Sequence, residues 1–156
     1  MKKITFTPGF FILASVLIFF LDAEALFCVL LTVFVHEFAH IIMMKAFKIK
    51  TKRMVFSAGG LSIEYDGRYT PYLTEIAIAT AGPASNILLA SAAGYGYLNN
   101  PCDLWSLLLI FNLATALYNM LPIKGLDGGK MLQSFLSLVF DSFGVETVLR
   151  CLGYIF

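Results

Sequence analysis

The sequence predicts an all-α polytopic membrane protein with about four transmembrane helices, a small cytoplasmic β-hairpin element and C-terminal amphipathic or partial helices. Its composition is the first observation: 59% of the 156 residues are hydrophobic and 13% are charged, whereas soluble domains average near half and a quarter. The apolar residues also form runs that approach the length needed to cross a bilayer. Lysine and arginine cluster at the ends of these runs, which is typical of cytoplasmic boundaries.

The first apolar run, Gly9–Leu21, follows a Thr7-Pro8 pair that is typical of a helix start. It is short for a transmembrane helix, so it must draw on its flanks. A secretory signal peptide is the rival interpretation, with the Lys2-Lys3 pair as its basic start and Ala23-Glu24-Ala25 as its cleavage site. Acidic residues at that site, and a second apolar run directly after it, favour the membrane helix.

The second apolar run, Ala25–Phe47, is long enough to cross a membrane. Five cations lie at its end or just beyond it: Lys45, Lys48, Lys50, Lys52 and Arg53. They predict that this end is cytoplasmic, and the Lys2-Lys3 pair places the N-terminus on the same side. The acidic loop Asp22–Glu24 then faces outward.

Two short strands are predicted next, at Lys52–Ser57 and Leu61–Tyr65, because the pattern changes to alternation around Ala58-Gly59-Gly60. Their edges could pair with each other, with Ile4–Phe6, or with an extended substrate by strand addition. The element is expected on the cytoplasmic side.

The third and fourth transmembrane helices are predicted at Tyr72 to about Tyr97 and at Leu104–Leu121. Pro83 is expected to kink or break the third helix. A further helix is predicted at Lys130–Phe140, and the apolar stretch Phe143–Phe156 is short for a span. That stretch either lies in the membrane interface or belongs to a truncated chain, so residues 1–156 form a single domain that is complete or lacks later helices.

The segment His36-Glu37-Phe38-Ala39-His40 carries the strongest chemical signal. Residues four apart share one face of a helix, so the two imidazoles can bind one metal ion. Glu37 is then placed to act as general base on a metal-activated water. Ionisable residues inside a membrane are costly and indicate function, and these are the chain's two histidines.

A catalytic zinc usually has three protein ligands, and Asp127 is the best candidate for the third. It lies at the inner end of the fourth span, at a depth similar to that of the histidines. Gly125, Gly128 and Gly129 allow the backbone to turn its side chain back into the bundle. The predicted cofactor is therefore Zn²⁺.

Two asparagines have open roles. Asn119 could donate a hydrogen bond to an oxyanion during peptide hydrolysis or join two helices. Asn86, after Gly82-Pro83, could pack between helices or bind substrate. The cysteines Cys28, Cys102 and Cys151 form no metal pair or disulfide framework and are expected to be buried. No basic tract suggests nucleic-acid binding.

Three motifs in order resemble those of the site-2 protease family of intramembrane zinc metalloproteases, in its stage IV sporulation protein FB-like branch. They are His36–His40, the segment Ala81-Gly82-Pro83-Ala84-Ser85-Asn86, and Asn119-Met120-Leu121-Pro122 followed by Leu126-Asp127-Gly128-Gly129. The resemblance implies His36, His40 and Asp127 as zinc ligands, Glu37 as base and Asn119 near the oxyanion. It also implies a substrate-facing region at Gly59 and Gly60.

The expected function is zinc-dependent cleavage of membrane-tethered or single-span proteins in the lipid bilayer, such as a transcription-factor precursor. The protein would be a multi-pass protein of a bacterial cell membrane. One alternative is an inactive catalytic core or regulator that binds zinc without turnover. A metal carrier or sensor is a second alternative, but it would need polar groups along all spans, which the outer halves lack.

Overall fold

The computed structural model describes residues 3–49, 51–57, 60–65 and 70–140. Within these ranges it contains five helices and three strands. In chain order they are β1 (Lys3–Phe6), α1 (Pro8–Phe20), α2 (Ala23–Ala46), β2 (Thr51–Ser57), β3 (Gly60–Tyr65), α3 (Tyr72–Asn99), α4 (Asp103–Asn119) and α5 (Asp127–Val139). The predicted stretch Phe143–Phe156 lies outside the described residues.

Helix starts follow the local sequence. α1 begins at Pro8, where the missing N–H of proline costs nothing. Asp22 caps α2 by accepting a hydrogen bond from the Ala25 N–H at 2.7 Å. α5 begins at Asp127, three residues before the predicted Lys130, so Gly128 and Gly129 lie in the helix rather than in a loop.

α3 lies at the centre of the bundle and packs against α2, α4 and α5. Small buried residues on α3, among them Ala79, Gly82, Ala90 and Ala93, let neighbouring backbones approach closely. Pro83 lies inside α3, and the helix continues through it, so of the two predicted outcomes the break does not occur and the kink stays a prediction.

An apolar cluster of Cys28, Ala93 and Leu108 joins α2, α3 and α4. Cys28 is buried as expected, but the expectation of burial is wrong for Cys102, which is exposed. Cys102 lies in the turn between α3 and α4, directly before the first residue of α4.

Two helices, α2 and α3, are long and apolar enough to cross a membrane by length and composition. α1 is a shorter apolar helix of 13 residues, and α4 has 17 residues. Large apolar side chains are widely exposed, as in Phe19 and Leu98 at 82% each. Soluble monomers rarely expose such surface, so the protein is a membrane protein, and the count of four spans stays a prediction.

The strands form one sheet in the order β1-β2-β3. β1 pairs with β2 in parallel, with Ile4 opposite Met54. β2 pairs with β3 in antiparallel register, with Val55 opposite Ser62. The strands therefore pair both with each other and with the N-terminal segment, two of the partners considered above.

Candidate metal centre

One face of α2 carries the two histidines. Its buried residues recur every three or four positions: Ala25, Cys28, Thr32, His36, His40 and Met44. This spacing keeps them on one stripe of the helix. The apolar and small members pack the helix against α3 and α4, and that packing turns both imidazoles into the bundle.

Asp127 reaches the histidines from the first turn of α5 and is buried. The backbone before it turns at Gly125, whose φ of +96° suits glycine. A Cβ at Gly128 would clash with the backbone oxygen of Met120, so glycine lets α5 start against the end of α4. The helix N-terminus also favours a carboxylate at this position.

The three side chains converge on one point. Nε2 of His36 and Nε2 of His40 lie 3.0 and 3.1 Å from Oδ2 of Asp127, and the two Nε2 atoms are 3.2 Å apart. Of the described residues, these three form a group able to hold a metal ion. These are the three residues that the sequence predicts as metal ligands.

The opposite nitrogen of each imidazole faces an acceptor. Nδ1 of His36 lies 2.8 Å from Oδ1 of Asn86, and Nδ1 of His40 lies 2.7 Å from the backbone oxygen of Ile78. Each Nδ1 therefore carries the hydrogen and donates, which leaves each Nε2 of the neutral ring with a lone pair. Such partners orient metal-binding histidines in proteins.

With both rings neutral, three atoms that carry lone pairs thus face one another: Nε2 of each imidazole and Oδ2 of Asp127. One proton could bridge a single pair, whereas a metal ion would stabilise all three. Tetrahedral zinc with bonds of about 2.0–2.1 Å separates its ligand atoms by about 3.3 Å, close to the spacings of 3.0–3.2 Å here. Two imidazoles and one carboxylate also suit zinc chemically.

Gly82 on α3 allows the two imidazoles to approach the helix backbone closely. A Cβ on this residue would clash with Nε2 of His40 and would lie 2.7 Å from Nε2 of His36. A side chain here would occupy the space beside the donor atoms. The glycine therefore lets both imidazoles lie directly against the backbone of α3, which any larger residue would prevent.

The second oxygen of Asp127 has its own partner. Nζ of Lys130 donates to Oδ1 of Asp127 at 3.0 Å, across one turn of α5. Oδ2 is left for the histidine cluster. Lys130 thereby favours metal binding by Asp127 through Oδ2 alone.

Other predicted site residues are distributed around this cluster. Glu37 is half-buried beside His36 on α2. Asn119, half-buried at the end of α4, donates from Nδ2 to the Thr115 oxygen at 3.0 Å, and its oxyanion role stays a prediction. Gly59 lies outside the described residues and Gly60 begins β3, so their substrate roles also stay predictions.

Asn86 is fully buried and contacts His36. It was predicted to pack between helices or to bind substrate, and the structure places it behind a metal-ligand candidate. Its partners, Asn112 and Thr32, were not predicted from the sequence. The sequence nevertheless contained a signal for Asn112, because this residue interrupts the apolar run Leu107–Leu113. A buried amide at such a position needs hydrogen-bond partners.

Comparisons with known proteins agree with this geometry. No family model matches the sequence. The chain is 31% identical over 135 residues to "Stage IV sporulation protein FB" of Bacillus subtilis (strain 168), covering 83% of this chain and 46% of that protein. This chain therefore spans about half the length of the curated relative it matches.

A solved structure is also similar: "Site-2 Protease from Methanocaldococcus jannaschii", with a TM-score of 0.75 and 19% identity. The match covers 98% of this chain and 76% of that chain. At this level of identity the likeness shows the fold.

Fold and site together define a helical membrane protein with a buried His, His, Asp cluster able to hold a metal ion. Within that class, the chain belongs to the site-2 protease family.

Proposed function

We propose that this protein is a zinc-dependent intramembrane endopeptidase that cleaves membrane-tethered or single-span protein substrates. The observation that supports it most directly is the convergence of His36, His40 and Asp127 beside the half-buried Glu37. The family also consists of intramembrane proteases.

The reaction needs a polarised carbonyl, an activated water and a protonated leaving group. Zinc held by the three ligands supplies Lewis-acid chemistry when it is bound. Glu37 accepts a proton from the attacking water and later delivers it to the leaving amine. Asn119, with its amide at the end of α4, donates to the developing oxyanion.

The substrate must reach the site in an extended form, because the carbonyls of a helix are already hydrogen-bonded. The three-stranded sheet supports this step, since its edge strands, β1 and β3, have unfilled edges within the described sheet. Strand addition would hold an unwound substrate segment there, and β3, which begins at Gly60, offers one such edge.

Replacing the proposed base tests the function. Glu37→Gln removes the proton acceptor but keeps the size of the side chain, so cleavage should be lost while metal content stays near one per chain. Glu24→Gln is the matched control, because Glu24 is exposed at the far end of the same helix.

The measurement is cleavage of co-expressed single-span substrates, followed by blotting, with metal content determined on the purified variants. We expect cleavage by the wild type and by Glu24→Gln only. Full cleavage by Glu37→Gln would refute the mechanism. Metal binding without cleavage by any form would instead support the inactive regulator.

A further inference from the structure

A hydrogen-bonded chain of side chains continues behind His36 through three helices. Nδ2 of Asn86 on α3 donates to Oδ1 of Asn112 on α4 at 2.9 Å. Nδ2 of Asn112 donates to Oγ1 of Thr32 on α2 at 2.9 Å and to the Leu108 oxygen at 2.8 Å. We call Asn86 and Asn112 the asparagine relay; both have an exposure of 0%.

The backbone oxygen of Leu108, the partner of Asn112 farthest from His36, determines the direction of each hydrogen bond in the relay. The backbone oxygen of Leu108 can only accept, so Asn112 must present its NH₂ group there and its oxygen to Asn86. Asn86 must then present its own NH₂ group to Asn112 and its oxygen to His36. Nδ2 of Asn86 also donates to the backbone oxygen of Thr32 at 3.4 Å, which supports the same orientation of the Asn86 amide.

This direction determines which nitrogen of His36 can bind a metal. An oxygen facing Nδ1 requires a hydrogen on Nδ1, so the lone pair of the neutral ring lies on Nε2. If Asn86 were reversed, its NH₂ group would face Nδ1 and the lone pair would move to Nδ1, away from the cluster. The orientation of Asn112 therefore decides the donor state of a ligand two hydrogen bonds away.

The ring nitrogen of His40 that carries the hydrogen is determined in a different way. Its Nδ1 donates directly to the Ile78 backbone oxygen, which cannot reverse. Among the histidines, His36 alone thus depends on side chains that a substitution can change.

We propose that Asn112 is a positioning residue that acts through Asn86 to hold His36 in its metal-binding form. The inference rests on the proposed function, since it takes His36 as a metal ligand. A purely structural role would instead make Asn112 a helix–helix contact whose loss lowers stability alone.

Three variants separate these roles. Asn112→Leu keeps a similar volume and removes the relay. Asn112→Asp retains an acceptor toward Asn86, and its neutral form, which burial favours, can donate to the Leu108 oxygen. Leu108→Ala is the structural control, because it removes a buried contact in the apolar cluster on the same helix and leaves every relay hydrogen bond in place.

The measurement is Zn²⁺ affinity of the purified full chain in detergent, by competition with a chromogenic chelator. The visible spectrum of the Co²⁺-loaded protein and thermal unfolding are recorded in parallel. We expect Asn112→Leu to lose about 10–100-fold in affinity, as outer partners of metal ligands do, with an altered Co²⁺ spectrum. Asn112→Asp should recover much of the affinity, and Leu108→Ala should change stability alone.

Wild-type affinity and an unchanged Co²⁺ spectrum in Asn112→Leu would overturn the inference. An equal affinity loss in Leu108→Ala at matched stability would also overturn it, because packing alone would then explain the effect. If the wild type binds neither ion, the proposed function itself fails, so the two failures are distinguishable.

Discussion

Gly82 controls the space beside the two imidazole Nε2 atoms. Gly82→Ala would place a methyl group against Nε2 of both His40 and His36, so at least one imidazole must move away from its position in the cluster. We expect metal affinity to fall by more than about tenfold, at least the effect of losing an outer partner. Chelator competition on the purified variant measures it.

The control for this prediction lies twelve residues further along α3. A Cβ at Gly94 would meet Cδ1 of Leu109 at 3.8 Å, an ordinary contact. Gly94→Ala makes the same chemical change and should leave metal affinity unaltered. Equal affinities for both variants and the wild type would show that the positions of the two imidazoles do not control metal binding.

Sequence alone could select the three proposed ligands but not the groups that orient them. His36 and His40 follow from helical spacing, and Asp127 follows from its depth relative to them. Asn112 could not be assigned, because its partner Asn86 is 26 residues away on another helix. Only the packing of α3 against α4 brings these two amides together.

The start of α5 is an element whose placement depends on close backbone packing. A Cβ at Gly128 would clash with the backbone of Met120 and Leu121, which cannot move aside as a flexible side chain can. We expect Gly128→Ala to displace α5 with Asp127, so that both thermal stability and metal affinity fall. Unfolding temperature and chelator competition measure the two effects.

Gly96 provides the comparison for that variant. A Cβ there would lie 2.7 Å from the ring of Trp105, so Gly96→Ala strains the contact between α3 and α4 away from the histidines. This variant should lose stability while keeping its metal affinity. If Gly128→Ala kept wild-type affinity, the placement of α5 would not control the site.

α5 begins at Asp127 and not at the predicted Lys130, and this difference has a clear physical cause. Gly128 and Gly129 have low helix propensity, which predicts a loop up to Lys130. In the folded chain the tight contact with Met120 requires glycine inside a helix. Tertiary packing thus overrides local propensity, and it places Asp127 in the first helical turn.

At the scale of the whole molecule, the charge distribution predicts how the chain lies in the membrane. Cys102 is exposed in the turn between α3 and α4, which we expect outside the cell. Lys45 lies in the last turn of α2, which we expect inside because basic residues stay cytoplasmic. The two positions should therefore label from opposite sides.

Cysteine labelling in intact cells tests this arrangement. With Cys28 and Cys151 replaced by alanine, a membrane-impermeant maleimide should label Cys102 directly. Lys45→Cys, in a chain that also lacks Cys102, should label only after the cells are permeabilised. Labelling of both positions from the same side would contradict the predicted topology.

The helices were largely predictable at this scale because each depends on a local apolar run, as α2 and α3 show. The pairing of the strands was less predictable. The parallel pair places Ile4 opposite Met54, and α1 and α2 separate these two residues in the sequence. Alternation predicts a strand but does not identify its partner.

His36, His40 and Asp127 form a group able to hold a metal ion, and the proposed function depends on their doing so. The most direct measurement is the metal content of the purified, folded chain compared with that of Asp127→Asn, a change that keeps the side chain's size but removes its charge. We predict about one zinc per wild-type chain, as expected of a three-ligand site, and far less in the variant. A folded wild type without metal, or a variant that retains as much zinc, would contradict the account.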